Sequence, residues 1–133
     1  MKSIFALFML LGSLSFGAAN KVVEPGLYKA TDVDSGEVTA TLLIRANQTA
    51  NLKLSAPDFE MPEPGCEGVF TVTGNILAAN VKCPVDFFEE LNVTIDITPV
   101  TPESVRSPAG AVVDVMIEGL VDEPTKFVLR KIQ

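Results

Sequence analysis

The chain has 133 residues, with 17 acidic and 10 basic side chains, two cysteines and no histidine. Its net charge of −7 argues against nucleic acid and anionic membrane surfaces as partners, because both are bound through basic patches. The lack of histidine in the sequence excludes Ser-His-Asp and Cys-His catalysis and histidine-ligated zinc.

The first 19 residues have the pattern of a secretory signal peptide. Lys2 supplies the positive start, residues 4–16 form an apolar run too short to span a bilayer, and Gly17-Ala18-Ala19 places small residues before a cleavage site. Cleavage would leave residues 20–133 as a single domain that is periplasmic or secreted. Because no other apolar run is long enough for a transmembrane helix, we expect the mature chain not to insert into a membrane.

Most of the mature sequence alternates between apolar and polar residues with a period of two, which predicts antiparallel strands with one buried face. Most connections are of hairpin length, so strands that are neighbours in sequence should pair in space. The eight predicted strands are Gly26–Asp32, Val38–Ala46, Ala50–Ala56, Cys66–Thr73, Ile76–Cys83, Leu91–Thr98, Ala111–Glu118 and Thr125–Ile132.

Asp34-Ser35-Gly36 suits a three-residue hairpin loop after the first strand, with Gly36 in the left-handed conformation. The same three residues resemble the Asp-Ser/Thr-Gly motif of retroviral-type aspartic proteases, which are β-rich dimers. The resemblance implies a dimer in which two Asp34 carboxylates meet. Asp32 and Glu37 depart from the apolar residues that the family has before the Asp and from the small residue after the Gly.

The run from Asp32 to Glu37 also has the spaced acids of a calcium loop. Its glycine comes one place too early for the EF-hand pattern, and the closing glutamate is missing at its spacing. Calcium binding by the acidic loops is therefore left open, and no cofactor is predicted.

Cys66 and Cys83 bracket two alternating runs joined by Gly74-Asn75, a two-residue hairpin signal with glycine at the first turn position. Counting outward from this turn brings the two cysteines opposite each other and sets Glu67 against Lys82. Two cysteines in an exported chain favour a bridge. The sequence therefore predicts a β-hairpin with a Cys66–Cys83 disulfide.

Three prolines rule out a continuous strand between Pro99 and Gly110. This stretch is either a long loop or a crossover between two sheets. With a loop, the fold is an all-β, eight-stranded antiparallel up-and-down barrel, which closes the sheet edges and resembles lipocalin-like barrels in general terms. No residue motif supports a family assignment. A crossover would give a two-sheet β-sandwich, which is the alternative.

In an up-and-down barrel, alternate connections emerge at the same end. The loops after the first, third, fifth and seventh predicted strands contain no lysine or arginine. They carry eleven of the 17 acids: Asp32, Asp34, Glu37, Asp58, Glu60, Glu63, Asp86, Glu89, Glu90, Asp122 and Glu123. The sequence therefore predicts a barrel with one strongly acidic end.

Two of these acidic loops also carry large apolar residues, and they flank the two cysteines. Apolar anchors inside a polar rim are typical of protein-binding surfaces; the alternative is that the phenylalanines fold inward and plug the barrel. The candidate partner-binding residues are Asp58, Phe59, Glu60, Met61, Asp86, Phe87, Phe88, Glu89 and Glu90.

These patterns favour an exported binding module without enzymatic activity, which engages a protein partner through its acidic, Phe-bearing end as an inhibitor or adaptor. The alternatives are a carrier of a small apolar ligand in the barrel interior and an aspartic-type hydrolase. The predicted interior is bulky and offers almost no polar group to orient a ligand, which favours a packed core.

Overall fold

A computed structural model describes residues 20–86 and 89–133. Residues 1–19, on which the signal-peptide prediction depends, and Phe87 and Phe88 lie outside the described residues. Within them the strands are β1 (Gly26–Asp32), β2 (Thr39–Ile44), β3 (Thr49–Ala56), β4 (Phe59–Glu60), β5 (Cys66–Thr73), β6 (Ile76–Lys82), β7 (Glu90–Asp96), β8 (Ala111–Ile117) and β9 (Thr125–Lys131), and the helix is α1 (Pro102–Arg106).

The eight long strands form one closed antiparallel barrel in the order of the sequence. Closure comes from β1, which pairs with β2 on one side and with β9 on the other. The two-residue strand β4 stands outside the barrel and pairs with the end of β3 through Ser55 and Ala56. The predicted eight-stranded up-and-down barrel is confirmed, and the two-sheet sandwich is wrong because β7 pairs directly with β8 across the proline-rich stretch.

The inward faces of the strands follow the predicted alternation. Of the side chains predicted to face inward, most are buried, whereas Val38, Leu54 and Val72 are half-buried and pack against the core. No polar or charged residue is buried among the described residues. The core of the barrel is therefore a continuous apolar interior, whose hydrophobic burial drives the fold.

The hairpin of β5 and β6 has the predicted register. Gly74 has φ +61° in the turn, Thr73 pairs with Ile76, and Glu67 pairs with Lys82 at the far end. One step beyond, Cys66 and Cys83 form the predicted disulfide, with their Cα atoms 4.1 Å apart. The sequence pattern thus located both the turn and the bridge.

Glu67 and Lys82 oppose each other in the register but form ion pairs with other residues. The two guanidinium nitrogens of Arg45 donate to the two carboxylate oxygens of Glu67 at 2.9 and 2.7 Å. The amide of Asn51 donates to the same carboxylate at 2.9 Å, while Lys82 pairs with Glu90 at 3.2 Å. The bidentate geometry of Arg45, which a lysine cannot match, explains this choice of partners.

The hydrogen bonds from Arg45 and then Asn51 lower the pKa of Glu67 from its ordinary 4.5 to about 2. Since this pKa is depressed in the folded state, the stabilisation is present above pH 4.5 and is lost as the pH falls towards 2. The pair is half exposed and screened by solvent, so we expect its contribution to the free energy of unfolding to be small. In thermal unfolding, Glu67→Gln should be less stable than the wild type at pH 7, and this difference should narrow below pH 4.5. An equal difference at pH 7 and below pH 4.5 would contradict the role of the Glu67 carboxylate.

The proline-rich stretch closes one end of the barrel. Thr101 is the N-cap residue of α1 and forms a capping box. Its hydroxyl accepts from the backbone N–H of Ser104, and the Ser104 hydroxyl accepts from the backbone N–H of Thr101. The helix buries Val105, and Val100 is buried just before it. No helix among the described residues is long and apolar enough to cross a bilayer.

The segment before β1 covers the same end. The backbone of Lys21 donates to the carbonyl of Gly74, and Glu24 pairs with Arg106 of α1 at 2.7 Å. The hydroxyl of Tyr28, a side chain only 1% exposed, donates to the carbonyl of Glu24 at 2.6 Å. These contacts fasten the segment before β1 across the closed end of the barrel, opposite the acidic loops.

Burial, and secondarily the charge of Glu24, raises the pKa of Tyr28 from 10.0 to about 12. Because this pKa is raised on folding, the associated stabilisation is present below pH 10 and is lost as the pH rises towards 12. The chain has one tyrosine and no tryptophan, so the ultraviolet absorbance of the phenolate reports this group alone. We expect the midpoint of this absorbance titration to lie near pH 12 or to coincide with alkaline unfolding. A midpoint near pH 10 while the circular dichroism is still native would show that Tyr28 is solvated.

Candidate binding site at the acidic end

The acidic connections lie together at the open end of the barrel. Because successive strands run in opposite directions, the connections β1–β2, β3–β5, β6–β7 and β8–β9 share this end. Among their eleven acids, Glu63 pairs with Lys53 and Glu90 pairs with Lys82. Within the described part of the chain, the other nine have no salt bridge, so this end carries a concentrated and largely uncompensated negative charge.

The β1–β2 loop has the predicted turn. Gly36 adopts φ +70°, and the carboxylate of Asp32 accepts from the backbone N–H of Asp34 at 3.0 Å and from the hydroxyl of Ser35 at 3.0 Å. Asp34 itself is exposed. The Asp-Ser-Gly sequence thus forms a turn whose hydrogen bonds hold the carboxylate of Asp32 at the base of the loop.

The β3–β5 connection folds back on the barrel through β4. Ala56 pairs with Phe59 and Ser55 pairs with Glu60, and the Ser55 hydroxyl donates to the Glu60 carboxylate at 2.8 Å. Phe59 is half-buried and packs against the core. The strand β4 therefore lays Phe59 along the open end of the barrel.

Met61 is not an exposed anchor, in contrast to its place in the predicted surface. Its side chain is 5% exposed, and its sulfur lies 3.7 Å from that of Cys66. The reason is local: the backbone N–H of Met61 donates to the carbonyl of Leu54, which continues the β3–β4 pairing and turns the side chain towards the disulfide. Met61 belongs to the core.

A pocket of about 380 Å³ lies at the open end, and we call it the mouth pocket. Residues in or beside three connections contribute to it: β1–β2, β3–β5 and β8–β9. Of the described residues that line it, three have polar side chains: Asp32, Ser55 and Thr125. Its apolar lining consists of Val38, Leu54, Ala56, Phe59, Val115, Ile117, Leu120, Val121 and Phe127.

The floor of the mouth pocket separates it from a small void in the barrel. This void measures about 40 Å³ and is lined by apolar side chains alone. Ligand pockets for small molecules usually measure ~300–1,000 Å³, so of these two spaces the mouth pocket has a suitable size and the interior void is too small. The floor is formed by the four side chains that line both spaces, Leu54, Val115, Ile117 and Phe127.

The structure brings only part of the predicted surface to the mouth pocket. Phe59 lines it, with exposed Asp58 and Glu60 beside it in the same connection. Asp86 and Glu89 instead line a separate, open depression next to Lys82 and Cys83. Glu90 is exposed, and hydrogen bonds from Asn80 and then Lys82 lower its pKa. Phe87 and Phe88 lie outside the described residues, so the plug and anchor interpretations of these two remain predictions.

Sequence reasoning missed the β8–β9 contribution to this pocket. Leu120 is 45% exposed and Val121 is half-buried, and both line the mouth pocket together with Asp32 of the distant β1–β2 loop. The signal was present in Leu120-Val121-Asp122-Glu123, an apolar pair inside an acidic turn. It resembles the Phe59 loop, but without an aromatic residue.

No three histidine, cysteine, aspartate or glutamate side chains are grouped to hold a metal ion in residues 20–86 and 89–133. The carboxylate of Asp32 is engaged by its own turn, which leaves the calcium-like loop without a set of converging ligands. Among the described residues, the open end therefore offers an apolar pocket with an acidic rim, which suits the binding of a ligand or partner. It holds no assembled metal centre.

Similarity to other proteins does not assign this site. The chain matches no protein family, no curated protein and no solved structure at a significant level of similarity. The function must therefore be argued from the shape, the apolar lining and the charge of the mouth pocket.

Proposed function

We propose that this protein is an exported, non-enzymatic binding module that engages a protein partner through its acidic end, as an inhibitor or adaptor. The observation that carries the proposal is the mouth pocket, an apolar space of about 380 Å³. It lies at an end where nine of eleven carboxylates form no salt bridge with a described residue. Binding energy at protein interfaces concentrates in a few apolar anchors seated in such pockets and surrounded by polar groups.

Exposed apolar side chains at the rim support a protein as the occupant. Leu120 and Val33 are 45% and 47% exposed and lie in two neighbouring connections of the acidic end. A protein partner would cover these side chains together with the pocket, whereas a small molecule held inside would leave them in water. Rim and pocket together thus favour a macromolecular surface over a buried small ligand.

Export is supported by the disulfide and by the signal-peptide pattern of residues 1–19. A bridge between Cys66 and Cys83 persists in the periplasm or outside the cell, where thiols are not kept reduced. The likeness to lipocalin-like barrels concerns architecture alone and carries no argument about a ligand.

Affinity capture with matched variants tests the proposal. Protein recovered after export would be immobilised beside Leu120→Ser, which alters the mouth pocket, and Val112→Ser, which removes a similarly exposed valine (48% exposed) from the outer face of β8. We expect a partner from the periplasmic or extracellular extract to be retained by the wild type and Val112→Ser and lost by Leu120→Ser. Equal retention by all three, or no retained protein, would refute a partner site at this end.

A small apolar ligand in the mouth pocket is the second candidate. It is favoured by the volume of about 380 Å³, which falls in the range of small-molecule sites, whereas the interior void of about 40 Å³ does not. Mass spectrometry of the protein recovered from its native source under non-denaturing conditions should reveal such a ligand as an added mass. An added mass on the wild type that Leu120→Ser lacks would favour the carrier.

The aspartic-type hydrolase stays a prediction. It requires two Asp34 carboxylates to meet in a dimer, and Asp34 lies exposed in the β1–β2 turn. Sedimentation of the purified protein with and without Asp34→Asn would show whether a dimer exists and whether this side chain contributes to it.

A further inference from the structure

We infer that the partner presents a basic segment, in which one large apolar side chain fills the mouth pocket and neighbouring lysine or arginine side chains lie against the surrounding carboxylates. This inference rests on the proposed function and deepens it by naming the chemistry of the partner. Its two parts, the apolar anchor and the flanking cations, follow from separate features of the site.

The apolar anchor follows from the lining of the mouth pocket. Its floor is formed by Leu54, Val115, Ile117 and Phe127, and Phe59 and Leu120 line the pocket above it. A single large side chain such as phenylalanine, leucine or methionine would replace water against these groups and gain the free energy of apolar burial. Among the described residues that line the pocket, Asp32, Ser55 and Thr125 are the ones with polar side chains, so a polar side chain of the partner would find few hydrogen-bonding side chains there.

The flanking cations follow from the carboxylates at the pocket. Asp32 lines the mouth pocket and accepts hydrogen bonds from its own loop, without a salt bridge among the described residues. Covering this carboxylate with a neutral or acidic partner would remove water from a charge without compensation, which is costly.

Three basic side chains of the barrel near this end are already engaged. Lys126 donates to Asp114 at 2.8 Å, Lys53 pairs with Glu63, and Lys82 pairs with Glu90. Asp34, Glu37, Asp58, Asp122 and Glu123 are exposed in the connections around the pocket and form no salt bridge with any residue that the structure describes. No lysine or arginine of the described residues lines the mouth pocket. The bound segment would therefore supply the compensating cations, and this charge complementarity favours a basic partner.

A selection from short random peptides displayed on a neutral carrier tests the chemistry without knowledge of the natural partner. We expect the wild-type protein to enrich sequences with one large apolar residue within two positions of lysine or arginine. Enrichment of neutral or acidic sequences, or no enrichment, would overturn the inference.

Matched synthetic peptides and variants then test the two parts separately. Replacing the apolar residue of an enriched peptide by alanine, or changing the protein by Leu120→Ser, should weaken binding roughly tenfold. Asp32→Asn keeps one oxygen to accept from the backbone N–H of Asp34 and loses only the acceptor of the exposed Ser35 hydroxyl, so it should fold. It should weaken binding of the lysine-flanked peptide about fivefold while leaving binding of a serine-flanked peptide unchanged. The controls are Val112→Ser on the outer wall and Glu103→Gln at the closed end, which should have no effect.

The salt dependence of peptide binding and the capture experiment distinguish failure of this inference from failure of the proposed function. Binding of the basic peptide should weaken as NaCl rises to about 1 M, where the Debye length falls to about 3 Å; affinity independent of salt would contradict the role of the carboxylates. If a natural partner is captured through Leu120 but its contact segment is neutral or acidic, this inference fails while the proposed function stands. If peptides bind equally well to Leu120→Ser, the mouth pocket is not the site and both fail.

Discussion

Gly68→Ala is expected to destabilise the barrel by roughly 3 kcal/mol, because the added methyl group has no space. Gly68 lies in β5 between Ala50 of β3 and Val81 of β6. A Cβ atom at this position would stand 1.9 Å from the backbone oxygen of Asn80 and 2.7 Å from the Cα of Val81. Backbone atoms cannot rotate away as the end of a side chain can, so β5 and β6 would have to separate.

Gly74→Ala is the matched control for this substitution. Gly74 belongs to the same hairpin and has a positive φ, but a Cβ atom there would meet nothing within 4 Å. It should therefore cost only about 1 kcal/mol, for the left-handed conformation alone. Urea unfolding of both variants measures the difference. Equal loss of stability in the two proteins would show that β6 accommodates the methyl group and that the spacing argument is wrong.

Replacing Cys66 and Cys83 together by alanine is expected to reduce stability by about 3 kcal/mol, the loop-closure effect for a bridge across this sequence separation. The bridge joins residues 17 apart. It fastens the start of β5, where the β3–β5 connection ends, to Cys83, where the β6–β7 connection begins, and Met61 packs against it. For a domain of this size the melting temperature should fall by roughly 10 °C.

Reduction of the wild type provides the control for the double variant. A reducing agent should lower the melting temperature of the wild type towards that of Cys66→Ala/Cys83→Ala and leave the variant unchanged. If the double variant melts at the wild-type temperature, the bridge contributes nothing to the folded state. Asp32 and Leu120 of the mouth pocket lie in other connections, so a folded double variant should still bind through them.

Comparison of the observed with the predicted strands shows which features of the fold are determined by local sequence. Alternation located all eight barrel strands to within about two residues at each end, since the period of two is a property of each extended segment. The Gly74-Asn75 turn set the register of β5 and β6, and the disulfide followed from that register. The short helix α1 was missed, although Thr101, Pro102 and Ser104 carry its start signal.

The ion pairs and the burial of Met61 required the structure. Register alone placed Glu67 opposite Lys82, but Arg45 reaches Glu67 from the end of β2, and its two donors match a carboxylate better than an ammonium group does. Met61 was a candidate anchor because it is a large apolar residue in an acidic loop, and the structure buries it. The strand β4, only two residues long, reversed that assignment by folding back on β3.

What the sequence by itself determined is therefore the set of strands, their meander order, the disulfide hairpin and the acidic character of one end, because each depends on spacing along the chain. Only the tertiary structure decided which side chains share the mouth pocket. Asp32, Phe59 and Leu120 meet there because the pairing of β9 with β1 closes the barrel. Closure brings residues from opposite ends of the sequence together. Alternation within a single strand carries no information about which distant residues become neighbours in space.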